Sequence, residues 1–202
     1  MRKFIIAAVL LAVLPTGNMQ ACVSEGPTHN KYMFSVFRRD AMDGPAYLAD
    51  INQYWIDYCK GRIAADDYDR TGYTFYNNHR SEVLKVAQAK GDQAMAAYLK
   101  LLNRYIDVCD LFTVDRWSYP TKEQLATRKQ KALAILNAAK AYRGTQLRQQ
   151  YTLLQMRANM ILGYDLANAN LWNQQVKRFG KSCWREAMQN IYARTLYKSG
   201  KR

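Results

Sequence analysis

The sequence holds little that catalysis could use. It has two histidines, His29 and His79. Neither stands in a His-x-x-x-His or His-Glu-x-x-His pattern, so a zinc site has no spacing to rest on. No Gly-x-Ser-x-Gly elbow and no glycine-rich phosphate loop occurs. The only glutamates are Glu25, Glu82, Glu123 and Glu186, all at polar helix or loop positions. A carboxylate pair for glycoside cleavage stays open, because its two acids can lie far apart in sequence. The acidic run Asp66-Asp67-Tyr68-Asp69 lacks the spaced oxygen ligands and the glycine of a calcium loop, and reads as a solvated turn. No two cysteines have Cys-x-x-Cys spacing, which removes the redox and zinc-ribbon readings. The expectation is therefore a protein that is not an enzyme and takes no metal and no cofactor.

Long apolar runs are scarce too. The longest, residues 4–14, is far short of the ~20 residues that span a bilayer. It follows Arg2 and Lys3, is broken by Pro15, and leads into a polar stretch ending at Ala21. That is the pattern of a secretory signal peptide, residues 1–21. The protein is expected to be exported, to the periplasm or to the outer membrane. Two readings of Cys22 remain. Met19-Gln20-Ala21-Cys22 is an imperfect bacterial lipoprotein box, which would lipidate Cys22 and give the chain its one membrane attachment. Ordinary signal cleavage would instead leave Cys22 free or in a disulfide. In an oxidising compartment Cys22, Cys59, Cys109 and Cys183 allow three full pairings. Cys59 with Cys109 is favoured, since each sits near the end of a predicted helix.

Carboxylates are missing from one half only. Residues 22–120 hold 12 lysines and arginines against 13 acids; residues 121–202 hold 16 against three. The C-terminal half thus carries the whole basic excess of a chain with net charge +14. An acidic partner would explain it, most simply an anionic protein surface. A solvated helical surface rich in good helix formers explains it equally. Export argues against nucleic acid.

What is abundant is helical periodicity. Residues 22–44 contain Gly26-Pro27 and the aromatic cluster Tyr32-Met33-Phe34-Ser35-Val36-Phe37, and read as an extended arm burying Phe34, Val36 or Phe37. Residues 45–112 read as N-terminal helical hairpins. The first helix bears the stripe Tyr47-Leu48, Ile51, Tyr54-Trp55 and Tyr58, and stops at Gly61. The next stops at Gly91, and Asp92 caps a longer one with Met95, Tyr98-Leu99, Leu102, Tyr105-Ile106 and Cys109 on its buried side. After a loop to Pro120, Thr121-Lys122-Glu123-Gln124 forms a capping box for a helix carrying Leu125, Ala132, Ile135-Leu136 and Ala139. No proline follows, consistent with helices to the end.

The organising stretch is 144–200. Leu147, Tyr151, Leu154, Ala158 and Ile161 form one stripe, stopped by Gly163; Leu166, Ala169, Trp172, Val176 and Phe179 form another, stopped by Gly180. A third runs through Trp184, Met188, Ile191 and Thr195-Leu196 to Gly200. Gly144 and Gly180, and Gly163 and Gly200, lie 36 and 37 residues apart. A mid-thirties period with two helices per unit marks a helical-hairpin solenoid.

Met156-Arg157-Ala158-Asn159-Met160-Ile161-Leu162-Gly163, followed by Ala169 and Trp172, resembles a tetratricopeptide repeat. The stretch 191–200 resembles the first helix of another, with Ala158 and Ala193 as the small residues that let paired helices approach. The resemblance covers 121–202. It implies an all-α protein of antiparallel hairpins stacked as a short tetratricopeptide-like solenoid, behind the extended arm. It implies a scaffold, hence a non-enzymatic binding protein of the bacterial envelope with a protein partner. The runner-up is a glycan-binding outer-membrane lipoprotein similar to the SusD-like uptake proteins, with tyrosines and tryptophans stacking on sugars. Residues 201–202 fall where a hairpin's second helix should start. The array is then expected to be incomplete, leaving Trp184, Met188 and Ile191 as candidate partner-binding residues.

Overall fold

The computed structural model describes residues 46–110 and 120–200. The chain divides into two units, 1–43 and 44–202, and every described residue belongs to the second. The signal peptide, Cys22, the arm and the loop at 111–119 lie outside the described residues.

Among those residues every regular element is a helix. They are α1 (Ala46–Tyr58), α2 (Asp67–Thr71), α3 (Phe75–Asn78), α4 (Arg80–Ala89), α5 (Gln93–Asp110), α6 (Lys122–Ala141), α7 (Arg148–Leu162), α8 (Asp165–Gln174) and α9 (Cys183–Lys198). A single 3-10 turn, Val176–Arg178, follows α8. No described helix is long and apolar enough to cross a membrane.

The local signals act where they were read. Thr121 and Gln124 make the reciprocal capping box of α6. Asp92 Oδ1 accepts from the Met95 amide at 3.0 Å at the start of α5. Gly163 is left-handed (φ +75°), and the Tyr164 amide reaches back to the Asn159 carbonyl at 2.9 Å, closing α7 with a Schellman motif. Gly91 closes α4 in the same way, through the Asp92 amide and the Ala87 carbonyl.

The glycine period does not hold up. Gly144 and Gly180 do not have positive φ and close no helix. A Cβ at Gly144 would instead run into the ring and hydroxyl of Tyr142. The helix after Gly163 also ends at Gln174, well short of Gly180, and the chain continues as the 3-10 turn. Leu166, placed on that helix's apolar stripe, is instead 76% exposed.

The core of the described residues runs from α1 to α9. The centre is α7, which buries residues around most of its circumference: Gln150, Tyr151, Thr152, Leu153, Leu154, Met156, Ala158 and Asn159. A helix covered on all sides must pack on several neighbours, and α7 meets α5, α6, α8 and α9. Ala158 is fully buried, as a close helix approach requires, whereas Ala193 is exposed. Successive helices from α4 onward pack pairwise. The central helix α7 also contacts its next-but-one neighbours α5 and α9.

One contact is not of that kind. The first helix packs on the last, α1 on α9. Tyr54 and Trp55 meet the Trp184 ring at centroid distances of 5.2 and 6.2 Å. The Asn190 amide donates to the Tyr47 hydroxyl at 2.9 Å.

Candidate functional site

Three polar features stand out against this core. The first surrounds Asp69, whose side chain is only 4% exposed. Asn78 Nδ2 donates to its Oδ1 at 2.7 Å, and His79 Nε2 lies 3.0 Å from its Oδ2. The Asp69 amide donates to Asp66 Oδ1, and its carbonyl accepts from Asn52 Nδ2. Asn52 Oδ1 in turn accepts from the Phe75 amide. Burial pushes the Asp69 carboxyl up, but the hydrogen bonds from Asn78 and His79 and the His79 charge bring it below the ordinary range. The acidic run is therefore a short helix pinned by a buried carboxylate, and not the solvated turn expected of it. Among the described residues no cluster of ligands could hold a metal.

The second feature is a basic cleft of about 330 Å³ between the end of α6 and the start of α7. Lys140, Arg143 and Arg148 line it with Thr145, Thr152, Gln155 and Gln175, and no carboxylate does. Its floor is held by Tyr142, stacked on Tyr151 at 3.9 Å with its hydroxyl accepting from the Leu147 amide. Arg143 is spent on the carbonyls of Lys140 and Tyr142. Arg148, in contrast, sits in the first turn of α7, which has no acidic residue and no side-chain cap. A helix start is already the positive end of the helix dipole. The arrangement therefore gathers positive charge in a cleft lined by no carboxylate, opposed by the carbonyls at the end of α6.

The third is a pair of clefts on either side of Leu48 and Arg157. One, of about 210 Å³, lies against Trp55, Tyr76, Tyr98 and Trp184; the other, of about 260 Å³, lies against Tyr47, Tyr105, Met160 and Ile191. Tyr98 is fully buried, and that burial raises its hydroxyl well above the ordinary tyrosine range. Arg157 is half-buried with its guanidinium 6.0 Å from the Tyr105 ring centre.

The residues singled out in the sequence fall elsewhere. Trp184, Met188 and Ile191 are 7%, 0% and 9% exposed, because α1 covers them. They are core residues, and the expectation that they form a partner-binding face is corrected. Cys59, Cys109 and Cys183 are free. The expected Cys59–Cys109 disulfide is absent for a geometric reason. Lys90 Nζ donates to the Tyr58 carbonyl and Tyr58 donates to Asp92, which fixes Cys59 near the start of α5. Cys109 is at the other end of that 18-residue helix. At 1.5 Å per residue the two are separated by roughly 20 Å, far beyond the ~7 Å a disulfide tolerates. Burial raises the Cys59 and Cys183 thiols, keeping both protonated at neutral pH. Cys22 is outside the described residues.

Two features went unpredicted. Asp69 gives no sequence signal apart from its acidic neighbours. Arg157 does give one: it lies three residues after Leu154 and four before Ile161, a cation at apolar-face spacing. Searches of family models, curated proteins and solved structures found no match to this chain.

Proposed function

We propose that this is a non-enzymatic binding protein of the bacterial cell envelope: a tetratricopeptide-like hairpin scaffold whose basic C-terminal half engages an acidic protein surface. The observation that carries this reading is the uncompensated charge of that half. Residues 121–202 hold 16 lysines and arginines against three acids. One of those acids, Asp165, stands 3.8 Å from Lys198. The cations thus have few partners of their own, and the basic cleft at the α6–α7 turn gathers three of them. Opposed potentials of this kind steer encounter and fix orientation more than they add affinity. The leader-like pattern of residues 1–21 supports export.

The glycan-binding alternative has less behind it. Among the described tryptophans, Trp55 and Trp184 are buried among other rings, and one face of Trp172 is covered by Tyr192 at 4.8 Å.

The test is titration of the chain with a polyglutamate peptide at 50 and 500 mM salt, monitored by anisotropy. Affinity should fall steeply across that range, because exposed charges are screened within about 8 Å at physiological ionic strength. Replacing Lys140 and Arg148 together by Gln should weaken low-salt binding. Binding indifferent to salt and to both substitutions would defeat the reading.

A further inference from the structure

We infer that the paired clefts around Arg157 form a binding site for a small organic monocarboxylate with a flat apolar body. The site goes beyond the proposed basic surface and is independent of it.

Arg157 is the first reason. It projects from α7, the central helix, into the wall shared by both clefts. Among the described residues no carboxylate forms an ion pair with it. Of the acids of this half, Asp165 faces Lys198, and Glu123 and Glu186 fall in the first turns of α6 and α9. A half-buried guanidinium beside aromatic rings loses hydration without gaining a counter-charge. A planar carboxylate offers two acceptor oxygens at the spacing of the guanidinium fork, and would restore that loss.

The walls give the rest of the ligand. Trp55, Tyr76, Tyr98, Leu102 and Trp184 line the smaller cleft. Their rings supply an apolar wall beside a small set of polar groups, the usual composition of a small-molecule pocket. Tyr98 remains a neutral hydroxyl through the physiological range, able to donate and carrying no charge to repel an anion. Asn52, also in the wall, has both ends of its amide engaged with Asp69 and Phe75, which keeps the wall rigid. The volume suits a single ring or a short branched chain and is too small for an oligosaccharide.

The rim adds an independent observation. Tyr73, which lines the smaller cleft, is the one described non-glycine residue with positive φ, at +53°. A bulky side chain in that region is strained, and such strain gathers at ligand sites. Here it turns a tyrosine toward the cleft mouth from the short link between α2 and α3.

The experiment is calorimetric titration of the full chain with phenylacetate and with its neutral analogue phenylacetamide. Phenylacetate should bind at one site, at least about tenfold more tightly than the amide, as expected for hydrogen bonds to a charged acceptor. Arg157→Gln should bring the acid down to the level of the amide, and Arg157→Lys should fall between, since the ammonium keeps the charge and loses the fork. Leu48→Trp, which fills the shared wall and leaves Arg157 in place, should abolish binding of both; it also serves if Arg157→Gln does not fold. Equal binding of acid and amide, or no saturable binding of phenylacetate, would overturn the assignment. So would binding that survives Leu48→Trp, which would place the anion elsewhere on the basic half.

Discussion

The two halves of the helical unit solve the same packing problem with different polar chemistry. Residues 46–110 use carboxylates as fasteners. Asp66 caps α2, the Asp69 carboxylate ties α2 to Asn78 of α3 and to His79, Asp92 caps α5, and Asp107 pairs with Arg80 at 3.0 Å. Residues 120–200 do this work with neutral groups: Thr121 with Gln124, Ser182 at α9, and the Asn159–Asn168 pair between α7 and α8. The difference teaches what the charge asymmetry means structurally. In the first half acids are consumed by the fold; in the second, caps are neutral and the cations are left to the surface.

The sharpest way to break the comparison is at the place where the halves join. Trp184 sits within 7 Å of both Tyr54 and Trp55. Trp184→Ala should cost about 3–5 kcal/mol, the usual range for a buried large aromatic, read from urea unfolding. It should also uncouple the halves, giving two transitions where the parent gives one.

Next in size is the Asp69 knot. Asp69→Ala leaves Asn78 and His79 without their shared carboxylate and should cost about 2–3 kcal/mol, with no effect on anion binding by the other half. The pH dependence is worked out from the lowered folded-state pKa. Its stabilisation is complete above the unfolded value of about 3.9 and is lost as pH falls through the folded value. Melting temperatures of the parent should therefore drop more steeply below pH 4 than those of Asp69→Asn. Equal slopes would show that the carboxylate's charge is not what holds the knot.

The smallest effect is expected at Leu166. It stands 76% exposed, so Leu166→Ser should move stability by no more than about 0.5 kcal/mol. A larger loss in a thermal melt would mean that this leucine is covered in solution.

Much of the fold was legible because its signals are local. Caps at Asp92 and Thr121 and left-handed glycines at 91, 163 and 200 act within one turn. The stripes bury Met95, Tyr98, Leu99 and Leu102 of α5 and Ala132, Ile135, Leu136 and Ala139 of α6, while Leu125, read on the same face, is exposed. What could not be read was which helix covers which. Trp184, Met188 and Ile191 look unpartnered in a sequence that stops soon after them; their cover, α1, is more than 120 residues upstream. The same holds for the site. Arg157 breaks an apolar stripe, which is visible, but the aromatic rings around it come from α1, α3, α5 and α9. Asp69 looked like a surface residue because its partners are asparagines and backbone groups, which carry no pattern.

The packing of α1 on α9 has a consequence for the order of events in folding. Tyr47 and Asn190 are 143 residues apart in sequence. A stack of hairpins can grow unit by unit, each new helix settling on the last. Here α1 cannot find its seat until α9, made much later, exists. Until then Tyr54, Trp55 and the face of α9 remain uncovered, and closing so long a loop is a slow, entropically opposed step. The nucleus should therefore form among α5, α6 and α7, with the α1–α9 seal made last, and its opening should be the first large fluctuation that the native state allows.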